Sequence, residues 1–434
     1  MKLNRFIATN VHGNYNFDFK FNDDLNFLIG INGSGKTSSL RLMQALICFD
    51  IQEFKLIEFD AAEVVFEDSS AIFTIKAIRN KNTMNYSIDG VNCEIEFLGE
   101  VGTTVYRDAD RLIDFYEDQR VSLLNKTVGL HAALKKISRP IFLGLERNTS
   151  RYEDEYSRDE EYAKYSSYRL KDVHGLVRAK NLIRGAYQKY RRVRDLRENR
   201  LVKSIAVSSF NYVDLDVEND IYIDAAKIKE EYIRLAKKKP EIESFMSDLG
   251  GEDAVKRFNT FFQKLQVLFE EICNDGEDRK KDEVILEWLI NKSQINQINK
   301  VLAELESQRK SVEKFYEPIK KFETVLNYFL RDSRKKVSIN SVGILRIDGL
   351  RNEVGWNHLS SGERQLLVLF ANASFARANG GVLIIDEPEV SLHLKWQEIL
   401  VEKLMEINNH NQVILATHSP EIVGLFHDKC IFVG

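Results

Sequence analysis

Along the first hundred residues, apolar and polar positions alternate in short runs. RFIATNV, NFDFKF and LNFLIG follow one another closely, then EVVFED, AIFTIKAI and CEIEFLG. Alternation with period two predicts half-buried β-strands. Over the last hundred residues the period switches back and forth. KVSINSV, GVLIID and QVILAT are strand-like, whereas GERQLLVLFANASFARA and LHLKWQEILVEKLMEI space their apolar residues three and four apart. IFLGL, just after Pro140, adds one more apolar run. The pattern predicts an α/β fold, a sheet flanked by helices.

Between these regions the pattern is purely helical. Val255, Phe258, Phe262, Leu265, Phe269 and Ile272 form one series at spacings of three and four. After the polar NDGED at 274–278, a second series takes in Val284, Trp288, Asn291, Ile295, Ile298, Leu302, Leu305, Arg309, Val312 and Tyr316. Two heptad runs joined by a polar turn predict an antiparallel, coiled-coil-like hairpin over 252–317. Two ordinary amphipathic helices in a compact bundle are the alternative. The longer arm of the hairpin, about 33 residues, would extend roughly 50 Å. Only Pro240 and Pro318 fall in the middle third, which leaves room for long helices. The expected organisation is an N-terminal lobe over 1–150, a helical insertion over 151–335 and a C-terminal lobe over 336–434.

Composition narrows the class without naming it. A chain of 434 residues, 44% hydrophobic and 29% charged, is an ordinary globular one with room for two or three domains. The net charge of -4 confines any nucleic-acid surface to a local patch. Cys48, Cys93, Cys273 and Cys430 have no CxxC spacing, so buried thiols are expected rather than a zinc site or disulfides. No apolar run approaches the roughly 18 residues that span a bilayer, and MKLNRFIATN lacks a signal-peptide core. No membrane association and a cytoplasmic location are the expectation.

The chemistry lies in two segments more than three hundred residues apart. GINGSGKT at 30–37 fits GxxxxGK[ST], and it follows the strand-like LNFLI and precedes the helical SSLRLMQALICF. Gly30, Gly33 and Gly35 let the backbone wrap phosphate oxygens, with Asn32 and Ser34 completing the loop and Ser38 following it. Lys36 is placed to reach the β- and γ-phosphates of ATP, and Thr37 to ligate Mg²⁺. The second segment holds GVLIIDEPE at 381–389, where an apolar strand ends in Asp386 and Glu387. Beside a P-loop, Asp386 reads as a ligand in the Mg²⁺ shell and Glu387 as the base that orients and deprotonates water. On its own, such a run is also how a capped strand ends. VILATHSPEIV sets His418 just past another buried strand, in reach of a γ-phosphate or in a purely structural role.

The order of the P-loop, LSSGE, LIIDEPE and ATHS resembles the ABC ATPase family, over the first 50 and last 80 residues. The opening LNRFIATNVHGNYNFDFKFNDDLNFLIGINGSGKTSSLRLMQAL resembles its RecF, SMC-like and OLD-type branch, in which a helical arm is inserted between two ATPase lobes. The resemblance implies that the arm separates the motifs in sequence and that folding reunites them. It also implies that the signature serves the nucleotide of the opposite subunit. Ser360 and the Gly362 backbone would then face the γ-phosphate held by the partner's Lys36 in a head-to-tail homodimer, or in a larger ring. Three positions depart from the family pattern. Ser361 stands where glycine is usual, Glu363 where glutamine is frequent, and His393 where an aspartate follows the second motif. Glu146 and Arg147 are candidates for the family's Q-loop, and His12 for a base or ribose contact.

From Arg169 to Lys203, twelve Lys/Arg face three acids, just after the acidic EDEYSRDEEY. A solvated face, a nucleic-acid contact with stacking tyrosines and an acidic protein partner all fit this run. Sixteen residues follow His418, with no further catalytic domain among them. An ATPase acting on a separate partner is therefore expected. The layout resembles stand-alone anti-phage ATPases of the PARIS and Septu types. That resemblance implies a switch controlling a nuclease or toxin effector, with a phage protein as trigger. The alternatives are a DNA-repair or DNA-maintenance ATPase and a non-hydrolysing scaffold.

Overall fold

The computed structural model describes residues 1–97, 109–144, 171–208, 230, 232–234, 236–273, 281–349, 352, 355–376, 381–407 and 411–434. The N-terminal strands are β1 (Lys2–Val11), β2 (Tyr15–Lys20), β3 (Leu25–Ile29), β4 (Ala61–Asp68), β5 (Ala71–Asn80), β6 (Thr83–Ile88) and β7 (Val91–Glu96). Later come β8 (Ile141–Leu143), β9 (Lys336–Ile339), β10 (Leu345–Asp348), β11 (Gly381–Asp386), β12 (Asn411–Thr417) and β13 (Cys430–Phe432). The helices are α1 (Lys36–Cys48), α2 (Ile51–Leu56), α3 (Ala109–Lys126), α4 (Leu130–Lys136) and α5 (Lys171–Ser208). They continue as α6 (Lys239–Cys273), α7 (Lys281–Leu330), α8 (Ser361–Phe375), α9 (Leu394–Ile407) and α10 (Pro420–Val423). The α/β expectation holds, with sheets and flanking helices.

Besides a two-stranded antiparallel pair of β9 and β10, two larger sheets divide the strands by burial pattern. The order β2-β1-β4-β5-β6-β7 is antiparallel throughout. One of its faces is buried, which matches the alternating sequence. The order β13-β3-β12-β11-β8 is parallel throughout. Its inner strand β11, between β12 and β8, is buried at every position, because helices and the other sheet cover both of its faces. Val382 and Ile384 face a core shared with α1 and the antiparallel sheet, and Leu383 and Ile385 face one shared with α8, α9 and the end of α7. Gln412 ties the two sheets together. Its side chain accepts from Leu3 N at 2.7 Å and donates to Leu3 O at 2.8 Å and Asn22 O at 2.7 Å.

Strand β6 was not anticipated from sequence. TMNYSI is polar overall, yet Met84, Tyr86 and Ile88 are fully buried because this inner strand turns them onto the core of α1 and α2, where Tyr86 donates to Leu46 O at 2.8 Å and meets Phe49 and Phe54. The helix α7 runs past Tyr316 and through Pro318, despite the backbone donor that proline removes. Ile319, Phe322, Val325, Leu326 and Phe329 supply the buried face that outweighs this loss.

Contacts divide the chain into Met1–Gln188 with Glu317–Gly434, and Lys189–Tyr316. The first unit holds all three sheets and the nucleotide-site residues of the P-loop, signature and acidic strand. Within the second, Phe258, Phe262 and Leu265 are buried on α6, Tyr232 stacks on Phe269 at 4.3 Å, and Lys238 pairs with Glu306. Glu146 and Arg147, the acidic run before Arg169, Arg169 itself and the turn at 274–278 lie outside the described residues. Among the described residues, no helix is long and apolar enough to cross a membrane.

Candidate functional site

The segment Gly30–Gly35 leaves the carboxyl end of β3 and closes into α1, with Gly33 at φ 81° and Gly35 at φ 90°. A methyl group on Gly30 would sit 2.4 Å from Val433 O, and one on Gly35 would sit 2.7 Å from Phe17 Cζ. The tight turn therefore requires glycine twice over. Asn32 and Ser34 complete the loop; Ser34 is buried, and among the described residues its Oγ has no partner. No side chain caps α1, so its first N–H groups face the loop interior unclaimed. Lys36 is nearly buried and folds back, donating to Gly30 O at 2.8 Å and Ile31 O at 3.0 Å. Phosphate oxygens fit this cradle, being acceptors for the helix N-terminus and a cationic donor alike.

The structure brings two predicted metal ligands together. Thr37 Oγ1 donates to Asp386 Oδ2 at 2.8 Å, across 349 positions of sequence. A hydroxyl and a buried carboxylate side by side are the oxygen donors that Mg²⁺ takes alongside nucleotide phosphates. Glu387 follows with φ 47°, a left-handed conformation that costs a non-glycine residue about 1–2 kcal/mol. Its N–H is pinned to Ala416 O at 2.8 Å on the neighbouring strand. This fold in the backbone ends the strand directly after Asp386 and carries the second carboxylate beyond its end.

His418 lies just beyond β12, the strand between β3 and β11. Its Nδ1 stands 3.1 Å from Oε1 of Glu389, not of Glu387. Ser38 stands 3.3 Å from His12 Nε2, which sets that histidine beside the start of α1.

The signature residues sit at the start of α8. Ser360 is its N-cap, accepting from Glu363 N at 3.2 Å, while Glu363 Oε2 accepts from Ser360 N at 2.7 Å. Glutamate or glutamine can close such a cap, so it does not by itself select glutamate at position 363. Glu363 also takes a hydrogen bond from Lys335 at 2.7 Å. Gly362 is buried, and a Cβ there would meet Ser391 O at 2.6 Å. Ser361 is exposed, and His393 caps the start of α9, its Nδ1 accepting from Lys395 N at 3.3 Å. Among the described residues Ser360 bonds to Glu363 and, through its carbonyl, to Arg364 N at 3.0 Å, and no hydrogen bond joins it to the glycine-rich loop.

Sequence reasoning missed the loop's support. Tyr15 donates to Gly33 O at 2.6 Å and stacks with Phe17, the ring under Gly35. It also missed Lys335 and Glu389. The only sequence signal for Tyr15 and Phe17 is the alternation of β2, which marks a buried face but not what that face covers.

A glycine-rich turn between a parallel strand and a helix, joined through Thr37 to the acidic end of another strand, defines a P-loop nucleotide-binding protein. The chain belongs to the AAA ATPase domain family (AAA_15), whose model matches residues 1–423. It is 28% identical over 191 residues to the retron Vc95 probable ATPase of Vibrio cholerae, covering 39% of this chain and 37% of that protein. It is 34% identical over 99 residues to a putative ABC transporter ATP-binding protein of Clostridium acetobutylicum, covering 22% of this chain and 33% of that one. The chain thus spans about a third of the length of these curated relatives. Among solved structures, it is similar to the Smc head domain of Pyrococcus furiosus, with an extended coiled coil and bound to the C-terminal domain of ScpA. The TM-score is 0.40 and the identity 12%, over 97% of this chain and 91% of that one.

Proposed function

We propose that this protein binds ATP with Mg²⁺ and hydrolyses it, and that the cycle acts as a switch for a separate effector. The observation that carries the hydrolytic reading is the Thr37–Asp386 contact of 2.8 Å. It supports a metal-binding role for that pair, next to the glycine-rich loop and Glu387. Gly30, Asn32, Gly33, Ser34, Gly35 and Ser38 hold the phosphates through backbone and hydroxyl donors. Lys36 exchanges the carbonyls of Gly30 and Ile31 for phosphate oxygens. Thr37 and Asp386 hold the metal, which when bound offsets the phosphates' negative charge. Glu387 orients the attacking water and takes its proton.

Ser360 and Gly362 complete the site of a second subunit in a head-to-tail homodimer. A larger ring is compatible with the same contact. A nuclease or toxin effector and a phage-protein trigger are the partners proposed, in a cytoplasmic anti-phage system. Resemblance to PARIS- and Septu-type ATPases and identity with a protein named as a retron ATPase support that role. A second reading, a DNA-maintenance ATPase, is favoured by the exposed Arg184, Lys189, Arg191 and Arg192 of α5.

Steady-state hydrolysis and ATP binding test the site together. Lys36→Ala loses binding, whereas Glu387→Gln retains ATP and slows turnover. Parent-rate hydrolysis by Glu387→Gln refutes the assignment of the base. Mixing inactive Lys36→Ala with inactive Ser360→Arg restores some hydrolysis, because one interface of a mixed pair stays intact. A monomer, verified by sedimentation, that hydrolyses at full rate refutes the shared site.

A further inference from the structure

The glycine-rich loop is held from two sides, and nucleotide binding as proposed above leaves only one of the two holds in place. Ser34 N donates to Ile31 O at 3.2 Å, which closes a four-residue turn. Gly33, third in that turn, has φ 81° while Asn32 is not left-handed, so the turn is of type II. A Cβ on Gly33 would meet nothing within 4 Å, so no packing restrains this residue. Glycine populates either sign of φ about equally well, and a loop of this kind has several shapes open to it. Hydrogen bonds to its carbonyls therefore set the shape.

Lys36 gives the inner hold, from Nζ to Gly30 O and Ile31 O. An ammonium turned onto phosphate oxygens releases both carbonyls. Tyr15 gives the outer hold, its hydroxyl donating to Gly33 O at 2.6 Å. The half-buried ring lies parallel to Phe17, with 5° between their planes and 6.1 Å between centroids. Phe17 is buried, and β2 is paired with β1 at Val11↔Tyr15 and Ala8↔Phe17. The hydroxyl thus belongs to the sheet, not to the loop it holds.

We propose that Tyr15 is a positioning residue for nucleotide binding: anchored in β2, it fixes the Gly33 carbonyl so that the empty loop already has the shape that takes phosphate oxygens. The role rests on the nucleotide-binding reading above. Without the hydroxyl the empty loop spreads over other shapes, and the apparent affinity falls in proportion to the fraction still competent. Lys36 cannot substitute, since phosphate claims its ammonium. The effect is on binding rather than on the chemical step, because bound phosphates hold the loop in the same shape in either case.

The test removes the hydroxyl alone: Tyr15→Phe in the full chain keeps the ring on Phe17. Calorimetry measures the binding of MgATP and, separately, of inorganic tripolyphosphate with Mg²⁺. One hydrogen bond of ordinary strength sets the expected loss of affinity at about three- to tenfold. The loss should be equal for the two ligands, since tripolyphosphate carries the phosphates without base or ribose. In turnover the ATP KM should rise by the same factor, with kcat within about twofold of the parent. Equal affinities in parent and variant overturn the proposal, with or without a lower urea unfolding midpoint, and leave Tyr15 a stabilising residue only. A loss confined to ATP overturns it by placing the hydroxyl at the base or ribose. A parent that binds ATP but not tripolyphosphate overturns it as well, because the loop then holds no phosphate by itself. A parent that binds neither refutes the nucleotide-binding reading on which the proposal stands.

Discussion

Replacing Lys335 by methionine keeps the length of the side chain and removes the ammonium that Glu363 needs. Lys335 donates to Glu363 Oε2 at 2.7 Å and to His358 O at 3.2 Å. Glu363 is 3% exposed and Lys335 19%. Breaking a wholly buried pair by removing one partner costs about 3–5 kcal/mol. Solvent reaches part of the lysine, and the Ser360 N–H still holds the carboxylate, so about 2 kcal/mol is expected here. The measurement is urea unfolding followed by tryptophan fluorescence in the parent, Lys335→Met, Glu363→Gln and the double variant. A coupling energy of about 2 kcal/mol should emerge from the cycle. Burial raises the Glu363 pKa, but hydrogen bonds from Lys335, the Ser360 N–H and Ser333 outweigh it and hold the group below its ordinary value. The unfolded chain therefore binds more protons in the window between the two values. The pair's contribution is complete above the unfolded carboxylate pKa and is lost as pH falls through the lower folded value. Glu363→Gln has no carboxylate and should lack this acid-dependent loss. A coupling under about 0.5 kcal/mol, or equal acid sensitivity in parent and Glu363→Gln, refutes the reasoning.

Gly35→Ala places a Cβ 2.7 Å from Phe17 Cζ at φ 90°, so ATP affinity measured by calorimetry should fall about tenfold or more, with partial recovery on adding Phe17→Leu. Unchanged affinity would mean that the loop tolerates a side chain and is not the phosphate cradle. Charge reversal at Arg191, Arg192 and Arg194 tests the basic run of α5. If it neutralises about six DNA phosphates, log affinity falls against log salt with a slope near about -5, and the reversal flattens it. Binding that ignores salt, or none at low salt, assigns the run to a solvated face.

Local order was legible in the sequence wherever its cause is local. The alternation of β1, β2, β4 and β5 follows from side chains pointing to opposite faces at each step, and α8 and α9 from apolar spacing of three and four. The glycine-rich loop was legible for the same reason, since its turn depends on backbone freedom at Gly33 and Gly35 themselves. Asp386 could be marked because an unbroken apolar strand ends there.

What joins these pieces was not legible. The contact of Thr37 with Asp386 spans 349 positions, and that of Gln412 with Leu3 spans 409. The order β3-β12-β11 puts a third strand between the two that bear the motifs, and no run of neighbouring residues encodes that order. The same holds for the partner of His418. Its place just past a buried strand suggested a nearby γ-phosphate or a structural role, whereas packing of the turn after β11 against the end of β12 delivers Glu389. Glycine conformations and burial periods are decided within a turn or two of chain. Hydrogen bonds between distant side chains are decided by which strands lie side by side, and only the packed sheet determines that.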